Sequence, residues 1–244
     1  MKEKCTAIVL AAGVGKRMQS NVAKQYMILG DKPVIWYALQ TFEQNERITD
    51  VILVVGKGEI PYGRSEIVEK YGFQKVISVV EGGAERYLSV WNGLQAMRKT
   101  GQIADYVFIH DGARPFLNEQ MIEETYREVT EYGACVVGMP VKDTIKVADE
   151  EGIAVKTPER KSLWAVQTPQ VFRGELILEA YKTLIDRLEH KKVGPVFTVT
   201  DDAMVVETML QHPVKLVTGS YENIKITTPE DMLMAEAILK KSKK

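Results

Sequence analysis

The sequence predicts an α/β fold: a doubly wound, mostly parallel sheet with helices on both faces, plus a protruding β-hairpin arm. Three observations carry this. Short apolar runs without alternation recur at residues 7–10, 51–55, 76–80, 106–109 and 134–140, as strands covered on both faces should read. Helical spacing separates the early runs, which favours right-handed crossovers between parallel strands. The alternation then breaks once. Residues 141–148 and 153–156 are β-prone and flank Asp149-Glu150-Glu151-Gly152, a hairpin and not another crossover.

Bulk properties narrow the function classes. A chain of 244 residues can bury one large core, and no low-complexity linker interrupts it. A single domain over 1–244 is expected, with the arm at about 140–161. The chain is 45% hydrophobic and 27% charged with a net charge of −1, which argues against a general nucleic-acid or membrane-surface binder. No apolar run is long enough to span a bilayer and no secretory signal is found. Cys5 and Cys135 are isolated beside apolar runs, so buried reduced thiols and a cytoplasmic location are expected. His110, His190 and His212 lack metal-ligand spacing, so no zinc site is expected.

Residues 5–26 organise the chain. The first strand empties into Ala11-Ala12-Gly13-Val14-Gly15, and Lys16, Arg17 and Lys24 follow. Small residues let the backbone turn tightly and bring its N–H groups close to a ligand. With cations immediately after, the loop suits a polyphosphate. The dinucleotide fingerprint fails at Met18, where a third small residue belongs, and no Walker sequence is present. An ordinary strand-to-helix turn with surface lysines has the same composition.

Downstream, Pro33 opens a helix carrying Val34, Ile35, Ala38, Leu39 and Phe42 at helical spacing. A polar amphipathic helix is expected at about 65–71. The third strand ends in Glu81-Gly82-Gly83-Ala84-Glu85-Arg86, before Ser89 and Val90, on the side where open α/β sheets bind ligands. The fourth ends in His110-Asp111-Gly112-Ala113-Arg114-Pro115. Asp111 there can hold Mg²⁺ or a ribose hydroxyl, or simply cap a helix. Asn118 caps a helix to about Tyr132, and another helix starts near Gly174. Thr200-Asp201-Asp202 caps a short helix, which favours a structural reading of those two acids over a functional one. Residues 214–217 form a strand. Thr228-Pro229-Glu230-Asp231 starts the last helix.

The stretch Leu10-Ala11-Ala12-Gly13-x-Gly15-x-Arg17-Met18, then Lys24-Gln25-Tyr26, resembles the signature of nucleotidyltransferases that join a nucleoside triphosphate to a sugar phosphate. Within them the chain is similar to the 2-C-methyl-D-erythritol 4-phosphate cytidylyltransferase family. Matches continue in order to Asp231, through Gly82 to Val90, Leu163 to Gln170, and Asn223-Ile224-Lys225-Ile226. Two departures are local: Ala23 stands where the family has proline, and Ala84 where it often has aspartate or threonine.

The resemblance implies a Rossmann-like cytidylyltransferase using CTP, a sugar-alcohol phosphate and Mg²⁺ or another divalent cation. Ala11, Ala12, Gly13, Gly15, Gly82, Gly83, Ser89 and Asp111 would bind the nucleotide, with the Gly82-Gly83 turn reading cytosine. Asp111 would meet the metal directly or through water. Arg17, Lys24 and Lys225 would be catalytic, holding the triphosphate and flanking its α-phosphate. Arg114 and Thr168 would face the sugar phosphate. The arm would clasp a second copy in a homodimer, and Asp143, Thr144 and Arg160 would serve the partner's site.

The attacking phosphate monoester is already anionic near neutral pH, so positioning and charge neutralisation should carry the reaction. Ribitol 5-phosphate cytidylyltransferase is the near alternative, sharing the loop and the Asn-Ile-Lys-Ile ending. Gly112-Ala113, Leu163-Trp164 and Asn92-Gly93-Leu94 look more like the methylerythritol enzyme. A non-catalytic nucleotide-binding regulatory module would keep the glycines and lose the cations.

Overall fold

The computed structural model describes residues 3–13, 22–190 and 198–242. Strand β1 (Cys5–Ala11) sits inside the sheet and is nearly all buried. Its alternate residues feed two cores: Ala7, Val9 and Ala11 face one side, Ile8 the other. Two-residue strands β2 (Ile28–Leu29) and β3 (Lys32–Pro33) pair antiparallel and lead into helix α1 (Val34–Gln44), whose N-cap is Pro33. Strand β4 (Ile48–Val55) follows. The next helix starts earlier than its spacing predicts, as a short α2 (Ile60–Tyr62) that continues as a π-helical stretch, Gly63–Glu69. Pro61 supports the early start by fixing φ in the first turn.

Strand β5 (Val76–Glu81) and helix α3 (Arg86–Lys99) then carry the chain to strand β6 (Tyr106–Asp111). Helix α4 (Glu119–Tyr132) begins with the Asn118 side chain accepting from Met121 N and precedes strand β7 (Ala134–Pro140). The hairpin is present as β8 (Val147–Ala148) and β9 (Ala154–Lys156), which pair antiparallel. Strand β10 (Trp164–Arg173), helix α5 (Gly174–Glu189), helix α6 (Asp202–Leu210), strand β11 (Lys215–Thr218) and helix α7 (Pro229–Ser242) complete the order.

Among the described residues the main sheet has seven strands in the order β11-β7-β10-β6-β1-β4-β5. All neighbours are parallel except β10, which runs antiparallel to both β6 and β7. No strand was legible at 164–173, because Gln167-Thr168-Pro169-Gln170 interrupts the apolar pattern. The register breaks in that same tetrapeptide, between Val166 and Gln170. The polar residues that hide the strand are those it delivers to the strand ends.

One core packs α1 and α4 against the sheet through Ile35, Leu39, Phe42 and Val129. The opposite core packs α3, α5 and α6 through Val90, Leu94, Tyr181, Leu184 and Val206. Gly93 lets α3 lie close to the sheet, since a Cβ there would sit 2.6 Å from Ile8 Cγ2. The chain winds outward from β1 to β4 and β5, then α3 returns it to β6 on the other side of β1. That reversal opens a crevice beyond the carboxyl ends of β1 and β6, where such sheets bind ligands.

Candidate active site

Two adjoining cavities occupy the crevice, of about 200 and about 270 Å³. They share Arg86, Asp111 and Lys225 as common walls. Leu10, Ala12, Gly13, Lys24, Gly83 and Ser89 line the first. Arg114, Gln167, Thr168, Gln170 and Asp201 line the second. A larger cleft of about 470 Å³ lies at the opposite strand ends, around Asp105 and Arg173, and takes no part in this cluster.

Asp111 is the centre. It ends β6 and is buried. Arg86 Nε lies 3.2 Å from its Oδ1, and Lys225 Nζ lies 2.7 Å from its Oδ2. Burial alone would raise the carboxyl's pKa, but Arg86, Lys225 and Arg114 overcome it and hold the group far below the usual carboxylate range. Asp111 is therefore ionised at any physiological pH. Lys225 arrives on the extended segment after β11, which Ile226 N fastens to Ala113 O at 2.9 Å.

The glycine turns are built by packing. A Cβ on Gly82 would fall 2.4 Å from Ala12 Cβ, and one on Gly83 would fall 2.2 Å from Leu88 Cβ. The β5–α3 turn thus presses against the β1 loop, and Gly83 N donates to Ser89 Oγ at 3.1 Å. Close approach of a ligand is the demand that sequence suggests at these two positions; the chain's own neighbours already impose it. Gly13 differs, since a Cβ there would meet nothing within 4 Å. Gly15 and Arg17 lie outside the described residues. The buried Gln25 donates to Ala11 O at 2.6 Å. It anchors the short 3₁₀ turn Lys24–Tyr26 and so places Lys24 in the cavity wall. Composition gave no signal for Gln25, whose role depends on a carbonyl released by the end of β1.

Behind Asp111 runs a polar relay. Asp111 N donates to Thr168 Oγ1 at 3.1 Å, Thr168 Oγ1 lies 3.0 Å from His110 Nδ1, and His110 Nε2 lies 3.1 Å from Arg114 O. The carbonyl can only accept, so Nε2 carries the proton and Nδ1 accepts from the threonine. The Thr168 hydroxyl thus joins this relay, while the residue also lines the second cavity, where the resemblance places it facing substrate. Arg114 is held by carbonyls, donating to Asn223 O at 2.7 Å and Val166 O at 3.5 Å.

Asp143, Thr144 and Arg160 are exposed on the arm side of the molecule and line neither cavity. Arg160 donates to Lys142 O at 3.1 Å. Arg86 is the residue sequence reasoning undervalued, because its motif was read for glycines and Ser89. Tyr181 is missed with it. The capping role assigned to Thr200-Asp201-Asp202 is present, with Asp201 Oδ1 accepting from Met204 N at 3.0 Å, but Asp202 also takes both Nη groups of Arg86.

Among the described residues, neither the thiols nor His110 offers a nucleophile here. Burial pushes the Cys5 thiol up to about 12 and raises Cys135 as well, and His110 is committed at both ring nitrogens. Among the described residues no group of three or more His, Cys, Asp or Glu could hold a metal alone, and no helix is long and apolar enough to cross a membrane.

The buried histidine sets a pH dependence. Burial lowers its pKa from 6.5 to about 4, so between those values the unfolded chain binds a proton that the folded chain refuses. Stability should fall as pH drops from 6.5 towards 4, by roughly 3 kcal/mol from this residue. Denaturant unfolding of His110→Gln across that window should show a flatter slope than the parent. An unchanged slope would mean that His110 is protonated in the fold.

Comparisons with known proteins agree over nearly the whole chain. The family model "IspD: 2-C-methyl-D-erythritol 4-phosphate cytidylyltransferase" matches residues 5–241. A protein of that name from Lachnoclostridium phytofermentans is 51% identical over 238 residues, covering 98% of this chain and 97% of the relative. Another from Lachnospira eligens is 50% identical over 235 residues, covering 96% and 99%. A crystal structure of 4-diphosphocytidyl-2C-methyl-D-erythritol synthase from Anaerococcus prevotii superposes with a TM-score of 0.80 at 32% identity, covering 98% and 97%. With the crevice and its cations in the matched span, the chain belongs to the 2-C-methyl-D-erythritol 4-phosphate cytidylyltransferase family.

Proposed function

We propose that the protein joins CTP to 2-C-methyl-D-erythritol 4-phosphate in isoprenoid synthesis, releasing pyrophosphate, and that it does so by electrostatic positioning. The supporting observation is the crevice itself: Lys24 and Lys225 line it beside one ionised carboxylate, Asp111, with glycine turns at the ends of β1 and β5. Two anions must meet there. The cations offset their repulsion and the charge that builds on the α-phosphate and leaving group. The first cavity, with Gly83 and Ser89, suits the nucleotide, and Arg114 in the second suits the sugar phosphate. Arg17 completes the triphosphate grip in this reading. The family match favours methylerythritol phosphate over ribitol phosphate and an enzyme over a silent module.

One ionised carboxylate on the cavity floor suits a divalent cation that arrives on a triphosphate and keeps phosphate and water ligands. Asp111 would hold it. Bound there, Mg²⁺ supplies further charge neutralisation to the phosphates. Asp111 has both oxygens paired with cations, so its reach to the metal is direct only if Lys225 yields Oδ2.

The working form is a homodimer in the cytoplasm. The hairpin exposes Ile153 and Val155 at 61% and 62%, and an apolar strand left open in this way calls for a covering surface. A second copy of the chain would cover it and receive Asp143, Thr144 and Arg160 in its sugar-phosphate site. The single domain and its arm form one unit in this reading.

Pyrophosphate release from CTP should require methylerythritol phosphate and be weak with ribitol 5-phosphate; equal rates would overturn the acceptor assignment. In the same assay Lys225→Ala should cut kcat by about 100- to 1,000-fold while CTP still binds. Lost affinity with near-normal kcat would make Lys225 a ground-state anchor. Dimerisation has its own test. Mixing inactive Arg160→Ala with inactive Lys24→Ala subunits should restore activity, since one site of the mixed dimer is intact. A fully active monomer by light scattering would refute the shared site.

A further inference from the structure

We propose that Arg86 and the buried Asp202 are positioning residues that hold Asp111 from behind, fixing its Oδ1 so that Oδ2 faces the cavity before any ligand arrives. The inference rests on the reading of the site given above and concerns how its carboxylate is set. Asp202 is wholly buried at the start of α6. Arg86 grips it with both terminal nitrogens, Nη1 to Oδ1 at 2.9 Å and Nη2 to Oδ2 at 2.8 Å, the planar two-point geometry that lysine cannot supply. Tyr181 OH donates to Asp202 Oδ1 from α5.

The backbone of Asp202 is pinned as well. Gln170 Oε1 accepts from Asp202 N at 3.0 Å and Ala203 N at 2.9 Å, and Gln170 Nε2 donates to Asp201 Oδ2 at 3.0 Å. With both terminal nitrogens committed, Arg86 has Nε left for Asp111 Oδ1. The other side of Asp111 is unlike this. Lys225 meets Oδ2 from a side chain 36% exposed, on a segment without helix or strand. One oxygen is therefore locked into the fold through four elements, α3, α5, α6 and β10, and the other is paired with a cation that can be exchanged. A carboxylate presented in that way suits a cation brought in by a nucleotide.

Removing the partners that orient a metal-binding carboxylate commonly costs about 10- to 100-fold in metal affinity or activity. Arg86→Gln and Asp202→Asn should each weaken binding of Mn²⁺–CTP, followed by water proton relaxation, by that factor and lower kcat alongside. CTP in EDTA, followed by calorimetry, should bind each variant as it binds the parent. Tyr181→Phe keeps the ion pair and loses one hydrogen bond, so it should move the same two readouts the same way and less far. It serves if Asp202→Asn does not fold. An equal loss of CTP binding in EDTA would overturn the proposal by making Arg86 a direct nucleotide ligand. Lower melting temperatures with normal Mn²⁺–CTP binding and kcat would overturn it by making the network scaffold only. Parent protein that binds no CTP in either assay would overturn both this proposal and the functional reading.

Discussion

The structure depends on one constraint: a carboxylate buried at the end of β6 has to be ionised and paired. Desolvating Asp111 without partners would neutralise it. Arg86 and Lys225 prevent that, and each comes from a distant part of the chain. Of the two, Lys225 also lies in the cavity wall where a triphosphate needs a cation. Stability and function therefore draw on one cluster, and a change that breaks a buried pair by removing one partner is expected to cost about 3–5 kcal/mol as well as activity.

The fold serves this constraint through convergence. α3 delivers Arg86 just after the Gly82-Gly83 turn, α6 delivers Asp202, and β10 delivers Thr168 and Gln170 by running antiparallel into a parallel sheet. The segment after β11 is fastened at Ala113 and brings Lys225 across the crevice. Asn223 helps, donating to Thr168 O at 2.9 Å and Gln167 Oε1 at 3.2 Å. Each link is a polar contact between elements far apart in sequence, and each lies at the carboxyl ends of the parallel strands, where the sheet leaves backbone groups available.

Much of this was legible in the sequence, for identifiable reasons. β1, β4 and β6 read clearly because a strand covered on both faces needs nothing but apolar residues, and Asn118 and Asp201 read as caps because their side chains do local work. Asp111 stands out as a charge at the tip of an apolar strand, and Lys225 through the Asn-Ile-Lys-Ile match. β10 did not read, since four polar or proline positions break its run, and the π-helical stretch at Gly63–Glu69 has no periodicity that a sequence reveals. Asp202 reads only as part of a capping segment because its partner lies 116 residues away, and pairing over that span is a tertiary fact. The engagement of the Thr168 hydroxyl with His110 and the Asp111 amide is equally tertiary.

In the proposed reaction the sugar phosphate attacks the α-phosphorus of CTP directly, with the protein supplying charge and position and no nucleophile of its own. Among the described residues the thiols are buried and raised in pKa and His110 is engaged on both sides, which favours a single in-line displacement. The stereochemical course measures this most directly. With CTP made chiral at the α-phosphorus by sulfur substitution, the product should form with inversion of configuration. Retention would require two displacements and a covalent nucleotidyl–protein intermediate, and would contradict the account.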